Sequence, residues 1–166
     1  MRLSLFTILI LCSLISLPLT AQNWTAEEQE VLDQIKKAWD YWEKAVKEKD
    51  LNIWIDNVKP ADDWQGWWTS ESALWTMEND KRNFDKWLKN IKNYYWESVF
   101  PLSIKVYEDL ALIHFYATYT VEDKSGKSTR YEEKRFEVYR KIEGIWRLTS
   151  LMVSGKEVGY YSELEQ

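Results

Sequence analysis

The last third of the chain, residues 101–154, constrains the fold most, because it has the pattern of four consecutive antiparallel strands. Runs rich in Val, Ile, Thr, Tyr and Phe cover residues 101–107, 110–122, 129–142 and 145–154. Short turns separate these runs at Glu108-Asp109, Lys124-Ser125-Gly126-Lys127 and Glu143-Gly144. Such runs between Gly and Asp turns are typical of hairpins, and four in order predict a meander.

Three helical patterns precede the strands, and this order predicts an α+β protein with helices packed on one sheet. Thr25 and Glu28 have the spacing of a capping box, which predicts the start of a helix. Apolar residues then recur every three or four positions through Val46, as on the buried stripe of a helix. We expect a second, short helix over residues 51–58 and a third over 80–96. Residues 64–68, between these two helices, are expected to form a loop.

The first 21 residues have the pattern of a secretory signal peptide. Met1-Arg2 gives a basic start, residues 3–17 are apolar apart from Ser and Thr, and Ala21 is a small residue suited to cleavage. We therefore expect residues 22–166 to form one mature domain that is exported to the periplasm or outside the cell, without stable membrane insertion. A retained N-terminal anchor is the alternative, because the segment is near the length at which signals and anchors overlap.

Charge and cysteine content narrow the possible partners of the mature chain. Removing residues 1–21 takes away the only cysteine, Cys12, and leaves 21 basic residues against 27 acidic ones, a formal net charge of −6. The charges are interspersed and form no basic groove, so we expect no nucleic acid partner. A single histidine without cysteine predicts no metal site. We expect no cofactor.

The facing of the strands depends on the turns between them. A two-residue turn at Glu143-Gly144 would separate Phe136 and Val138 from Trp146 and Leu148, whereas a left-handed bulge at Gly144 would place all four on one face. We adopt the bulge, because it separates apolar from polar side chains. The predicted opposite, polar face then carries Arg135, Glu137, Tyr139, Arg147 and Thr149. The turn at Glu108-Asp109 groups Ile104, Val106, Ala111, Ile113, Phe115, Ala117 and Tyr119 on the face toward the helices.

These features together resemble the nuclear-transport-factor-2-like superfamily, which includes the SnoaL-like polyketide cyclases, ketosteroid isomerase and scytalone dehydratase. The resemblance covers residues 27–154 and rests on Glu48-Lys49-Asp50, Glu108-Asp109-Leu110-Ala111-Leu112-Ile113, Ser125-Gly126-Lys127, Arg135-Phe136-Glu137-Val138-Tyr139 and Glu143-Gly144-Ile145-Trp146-Arg147-Leu148. It implies a cone-shaped, cystatin-like fold, with about three helices wrapped on a strongly curved antiparallel sheet. It also implies a pocket at the open end and homodimerisation through the outer sheet face.

The candidate catalytic residues are Asp62, Asp63 and His114. The general base of ketosteroid isomerase lies near the region of Asp62 and Asp63, although paired Asp in a loop is also typical of a turn or helix cap. His114 is the only histidine and could serve in acid–base chemistry near neutral pH. The strand pattern instead places it away from the helices, on a solvent or dimer face. Where the isomerase has an oxyanion-binding tyrosine, this chain has Trp42, which lacks the acidity of a phenol.

The chain has 11 tryptophans and 10 tyrosines, and this excess points to an aromatic pocket. The predicted pocket residues are Trp39, Trp42, Trp64, Trp67, Trp68, Phe115, Tyr119 and Trp146. The segment 64–68 could form a lid, stack on a flat or sugar-like ligand, or fold onto the core.

Three functions fit these observations. The first is an exported domain that binds a hydrophobic or aromatic small molecule. The second is a cofactor-free isomerase, dehydratase or cyclase that uses Asp62 or Asp63 as its base. The third is a periplasmic protein-interaction module that uses the outer sheet face, with the cavity filled by tryptophan side chains.

Overall fold

A computed structural model describes residues 23–68 and 74–158 of the chain. Its helices are α1 (Ala26–Glu48), α2 (Asn52–Val58) and α3 (Met77–Leu88). Its strands are β1 (Gln65–Trp68), β2 (Trp75–Thr76), β3 (Ile91–Tyr107), β4 (Leu110–Asp123), β5 (Ser128–Ile142) and β6 (Ile145–Val158). The expected signal peptide, residues 1–21, lies outside the described residues.

The six strands form one curved sheet in the order β2-β1-β6-β5-β4-β3. All neighbouring pairs are antiparallel except β1 and β6, which run parallel. Strand β3 has three irregularities in its pairing with β4, and β5 and β6 shift register between Val138 and Tyr139. Such bulges bend a strand and increase its twist, which curves the sheet around the helices. The predicted α+β class, with three helices on a curved sheet, is confirmed.

Helix α1 begins and ends as its sequence dictates. Thr25 Oγ1 accepts a hydrogen bond from the Glu28 amide (3.2 Å), and Glu28 Oε2 accepts one from the Thr25 amide (2.9 Å), which completes the predicted capping box. The helix ends at Lys49, which has a left-handed backbone (φ 61°). The side chains buried along its inner stripe are Val31, Leu32, Ile35, Ala38, Trp39, Ala45 and Val46. This stripe packs on the concave face of the sheet.

The predicted third helix is wrong in its second half. Helix α3 ends at Leu88, and the chain from Ile91 onward is strand β3, which pairs with β4 along its whole length. A helix over 80–96 would turn Tyr95 inward with Ile91, whereas strand β3 buries Tyr94 and exposes Tyr95. Bulky aromatic residues at positions 94–96 suit a pleated sheet, and long-range pairing with β4 outweighs the local helical period. The predicted loop at 64–68 likewise contains β1, whose partner β6 lies more than 80 residues later in the chain.

The prediction of which β5 side chains lie on the face toward the helices is also wrong. Ile142 pairs with Ile145, and Glu143 and Gly144 form a two-residue turn with φ of 52° and 78°. The bulge lies in β6 at Thr149, because Val138 pairs with Ser150 and Tyr139 with Leu148. Arg135, Glu137 and Tyr139 consequently share the concave face with Trp146 and Leu148, whereas Phe136 and Val138 lie on the outer face. The predicted grouping on β3 and β4 is confirmed, with Ile104, Ala111, Ile113, Phe115 and Ala117 all buried.

Within the described residues, no helix has the length and apolar character needed to cross a membrane.

Candidate functional site

A cavity of about 400 Å³ lies between the three helices and the concave face of the sheet. Helices, strands and the residue before β1 all contribute to its wall. Its aromatic lining consists of Trp39, Trp42, Trp54, Trp64, Trp68, Trp75, Phe84, Trp87, Tyr94, Tyr119, Tyr131 and Tyr139. The remaining lining residues are Ala38, Asn83, Ile91, Val121, Glu133, Arg135, Glu137, Leu148 and Leu151. The wall is therefore mostly aromatic, with its charged groups confined to one strand, β5.

Trp42 of α1 is the centre of the helical side of the cavity. Its ring meets Phe84 at 5.0 Å and Trp87 at 6.3 Å, both from α3, and Trp54 of α2 at 6.0 Å between centroids. The Trp54 indole nitrogen donates a hydrogen bond to the Ala38 carbonyl (3.1 Å), which ties α2 to α1. Three helices thus converge on one indole, and edge-to-face contacts of this kind fix the orientation of the rings.

A second group of indoles comes from the segment around β1 and β2. The Trp68 ring lies 4.7 Å from that of Trp75 and 6.2 Å from that of Trp64. Gly66 makes this packing possible, because a Cβ there would lie 2.6 Å from the Trp68 ring and 2.8 Å from the Trp64 ring. The Trp64 Nε1 is buried and has no hydrogen-bond partner among the described residues. A buried donor without a partner is costly to the folded state.

Five inward-facing residues of β5, which we call the inner row, form the polar wall: Tyr131, Glu133, Arg135, Glu137 and Tyr139. Arg135 lies between the two carboxylates, with Nη1 3.7 Å from Glu133 Oε2 and Nε 3.3 Å from Glu137 Oε1. The Tyr139 hydroxyl donates to Glu137 Oε2 at 2.9 Å. Glu137 is 4% exposed and Glu133 9%, so two carboxylates are buried beside one guanidinium.

Arg135 holds the inner row together. Its guanidinium carbon lies 4.9 Å from the centroid of Trp39 and 5.9 Å from that of Phe115, so aromatic rings as well as carboxylates surround the cation. Burial by itself lowers the pKa of Arg135, but the charges of Glu137 and Glu133 outweigh this effect and leave the pKa raised. The guanidinium therefore stays charged inside the cavity wall.

Glu137 is the most strongly desolvated acid of the inner row. Burial raises its pKa above the usual carboxyl value, against the opposing effects of Arg135 and the hydrogen bond from Tyr139. A carboxylate with a raised pKa is a stronger base than one in water. The chemistry open to it is proton acceptance from a bound molecule in a largely apolar surrounding.

Tyr119 joins the aromatic and polar walls. Its hydroxyl donates to Glu133 Oε1 at 2.6 Å, and its ring stacks between those of Tyr94 (5.0 Å) and Tyr131 (5.2 Å). Burial, followed by the charge of Glu133, raises the pKa of Tyr119, so its phenol remains a neutral donor. A column of three stacked rings therefore leads to Glu133, and both faces of the Tyr119 ring are covered by its neighbours.

The predicted catalytic residues do not lie in the cavity wall. Asp62 and Asp63 are exposed in the turn after Ala61, and both Asp63 oxygens accept from Arg140 Nη2 at 2.9 Å. His114 is exposed on the outer sheet face, where its ring lies 4.7 Å from that of Phe136. None of the three therefore faces the cavity that the other elements form.

The structure divides the predicted pocket residues into two sets. Trp39, Trp42, Trp64, Trp68 and Tyr119 line the cavity, and Trp67, Phe115 and Trp146 do not. Trp67 alternates with Trp68 along β1 and is 49% exposed. Phe115 lies buried beside Arg135, and the Trp146 Nε1 donates to Glu30 Oε2 at 3.4 Å.

Sequence reasoning missed Glu133, Arg135 and Glu137 as cavity residues. Their charges suggested solvent, yet the correctly predicted inner residues of β4 are their direct neighbours. Ile113 pairs with Glu137, Phe115 with Arg135 and Ala117 with Glu133. Because paired residues share a sheet face, aligning β5 with β4 would have placed the three inside. Among the described residues, no group of three or more His, Cys, Asp and Glu side chains is arranged to hold a metal ion.

Solved structures share this architecture. A conserved protein from Planctomyces limnophilus superposes with a TM-score of 0.63 at 14% identity, covering 77% of this chain and 99% of that one. A nuclear transport factor 2-like superfamily protein from Salmonella enterica gives 0.56 at 15% identity, covering 82% and 95%. The chain has the nuclear-transport-factor-2-like fold.

The same fold is found in an enzyme. The hexachlorocyclohexane dehydrochlorinase LinA-type3 from Novosphingobium barchaimii superposes with a TM-score of 0.60 at 8% identity, covering 83% of this chain and 96% of that one. No protein-family model and no curated protein matches the sequence. Structures sharing the nuclear-transport-factor-2-like fold at such low identity establish architecture, and function must be argued from the site.

Proposed function

We propose that the protein binds a predominantly apolar small molecule in the aromatic cavity. The observation that carries this proposal is a cavity of about 400 Å³ walled by indole and phenol rings, with polar groups on one side. Ligand sites typically have volumes of about 300–1,000 Å³, apolar walls and a few polar groups that orient the ligand. The inner row supplies such polar groups here.

The cavity also bears on the predicted role of the tryptophan-rich segment. Trp64, Trp68 and Trp75 pack on one another at one side of the cavity and leave space beside them. This arrangement supports their use as a ring surface on which a flat ligand stacks.

Adjacent tryptophans of β1 provide a matched test of binding. Trp68 lines the cavity, whereas Trp67 is half exposed and lies outside its wall. A panel of flat aromatic compounds is first screened by thermal shift, and the affinities of the hits are measured by calorimetry. We expect Trp68→Ala to weaken binding at least about tenfold, the loss of roughly one aromatic contact, and Trp67→Ala to leave it unchanged. A panel without any hit, or equal effects of the two substitutions, would contradict the proposal.

An enzymatic role is the second candidate, and the observation that favours it is the buried Glu137. Its raised pKa and its position on the cavity wall suit a general base that removes a proton from a bound carbon acid. This role falls to Glu137 in preference to Asp62 or Asp63, since neither aspartate lines the cavity.

Solvent hydrogen exchange tests this second candidate without a known substrate. A compound identified in the screen is incubated with the protein in deuterated water, and NMR follows the loss of its C–H signals. We expect Glu137→Gln to abolish exchange of a compound that the variant still binds, and Asp62→Asn and Asp63→Asn to have no effect. Absence of protein-dependent exchange for every bound compound would leave binding as the sole function.

We propose that the outer sheet face forms a homodimer interface. Phe100, Tyr116 and Met152 are 66%, 39% and 44% exposed on this face, and His114 and Phe136 lie among them. Contiguous exposed apolar groups of this kind mark interaction surfaces. We expect light scattering to give a dimer mass for the wild type and a monomer mass for Phe100→Asp. A monomeric wild type would contradict this interface.

We also propose that the protein is exported after removal of residues 1–21, as the basic start, apolar run and Ala21 indicate. Mass spectrometry of the protein from its native host should give a chain beginning at Gln22. An intact Met1 would contradict cleavage.

A further inference from the structure

The charge of the cavity wall comes from three residues of the inner row. Among the described lining residues, only Glu133, Arg135 and Glu137 carry formal charges, and these sum to −1. Arg135 is engaged by both carboxylates and lies over the ring of Trp39. An anionic ligand group placed against this row would therefore meet an uncompensated negative charge in a poorly solvated space.

Two hydroxyl donors at the inner row are already used, whereas carboxylate acceptors remain. The hydroxyls of Tyr119 and Tyr139 donate to Glu133 and Glu137, one to each carboxylate. The contacts of Arg135 with the two acids, at 3.7 and 3.3 Å, are ion pairs. Its Nε has no hydrogen-bond partner among the described residues, but this atom is fully buried and does not face the cavity. Each carboxylate has about four lone-pair sites, so both acids retain acceptor capacity. A ligand group rich in N–H donors fits this surface.

The ring faces beside the row favour the same kind of ligand group. Tyr94, Tyr119 and Tyr131 form a stack that leads to Glu133, and Trp39 flanks Arg135. Cations are attracted to the faces of aromatic rings, most strongly where water is excluded. A protonated amine near Glu133 would therefore meet a carboxylate with aromatic rings beside it.

From these observations, and resting on the proposed binding function, we propose that the cavity selects apolar aromatic molecules bearing a protonated amine, which lies against Glu133 and Glu137. The aromatic frame of such a ligand lies among the indoles of the helices and of β1 and β2. Neutral analogues bind more weakly, and anionic analogues are excluded by the sum of charges on the inner row.

Three probes with one ring system test the selectivity. Naphthylmethylamine, naphthylmethanol and naphthoate, each substituted at the same ring carbon, are titrated into the full chain near neutral pH and followed by calorimetry. We expect the amine to bind roughly tenfold more tightly than the alcohol, as a charge-assisted hydrogen bond and a cation–π contact together allow. The carboxylate should bind more weakly than either.

Two neighbouring glutamates of β5 provide a matched pair of variants. Glu133→Gln removes one charge from the cavity wall with little change of shape, and Glu132→Gln makes the same change on the outer face of the strand. We expect Glu133→Gln to abolish the preference for the amine over the alcohol while alcohol binding is retained. Glu132→Gln should leave the preference unchanged. Should Glu133→Gln fail to fold, the ranking of the three probes on the wild type still decides the inference.

The outcomes separate this inference from the proposed function. Tightest binding by the alcohol or the carboxylate, or an amine preference that survives Glu133→Gln, overturns the ligand class and leaves binding in the cavity standing. A complete lack of binding by all three probes, together with a compound panel that gives no hit, overturns both.

Discussion

Strand β5 carries two kinds of arginine ion pair, and their comparison shows why distance alone does not measure their importance. Arg140 meets Asp63 at 2.9 Å, with side chains 44% and 66% exposed. Arg135 meets Glu137 at 3.3 Å and Glu133 at 3.7 Å, with side chains at most 15% exposed. The exposed pair is shorter, but water and salt screen it. The distances within the buried group are longer, yet each of its charges is stabilised mainly by the others, because water does not solvate them.

Removing each arginine should give the largest difference between the two sites. Arg135→Met leaves two buried carboxylates without a cation, and we expect a loss of about 3–5 kcal/mol in the free energy of unfolding. Arg140→Met breaks an exposed pair and should cost about 0.2–1 kcal/mol. Urea denaturation of both variants measures the difference. Equal losses would mean that the inner row is solvated.

The tryptophan packing beside the row should respond to a smaller change. In Gly66→Ala, the added Cβ must displace the rings of Trp64 and Trp68, and we expect a loss of about 1–3 kcal/mol, typical of overpacking. Near-ultraviolet circular dichroism should change with it, because these indoles pack against each other at short distance. The neighbouring exposed residue provides the control, since Gln65→Ala should leave the spectrum unchanged. An unaltered Gly66→Ala variant would contradict the close approach.

Glu137 should make the stability of the fold decrease as the pH rises. Its folded-state pKa is raised by burial, while Arg135 and Tyr139 lower it and Glu133 raises it. The folded protein therefore retains a proton that the unfolded chain has lost, and stability falls as the pH rises from about 4.5 through the folded pKa. Unfolding experiments at several pH values should show that Glu137→Gln lacks this decline. A variant with the same decline as the wild type would exclude Glu137 as its source.

Glu122, a partly exposed acid at the surface, should act in the opposite direction and with the smallest effect. Hydrogen bonds from Lys92 and Asn93 lower its pKa. Its contribution is therefore present above the unfolded pKa and is lost as the pH falls through the folded value. Glu122→Gln should reduce the acid-side loss of stability only slightly, and added salt should reduce it further. A large effect at high salt would contradict the role of an exposed pair.

Much of the fold follows from local patterns in the chain. The capping box at Thr25, the buried stripe of α1 and the alternation of β4 all agree with the structure, because each depends on neighbours a few residues apart. The hairpin from β3 to β4 was predicted with the correct facing for the same reason. Its two-residue turn allows one register, and the apolar residues of β4 mark which side is buried.

The candidate site depended on pairing that local patterns could not reveal. A period of two places Glu133, Arg135 and Glu137 on one face of β5 but does not say which face, and their charges suggested solvent. The extent of α3 was likewise ambiguous, because Ile91 and Tyr95 continue the helical period of α3, although strand β3 buries Tyr94 instead.

The sequence by itself determined the start of α1, the presence of three helices before the β3–β6 meander, and the aromatic content of the interior. Only the tertiary structure decided that three charged side chains lie inside. They remain buried because each carboxylate accepts a phenol hydrogen bond and Arg135 supplies the cation between them. This arrangement exists only after pairing with β4 has placed the three side chains on the concave face and the helices have packed over that face. A charged residue is placed by the partners that surround it after folding, and these partners are distant in the sequence.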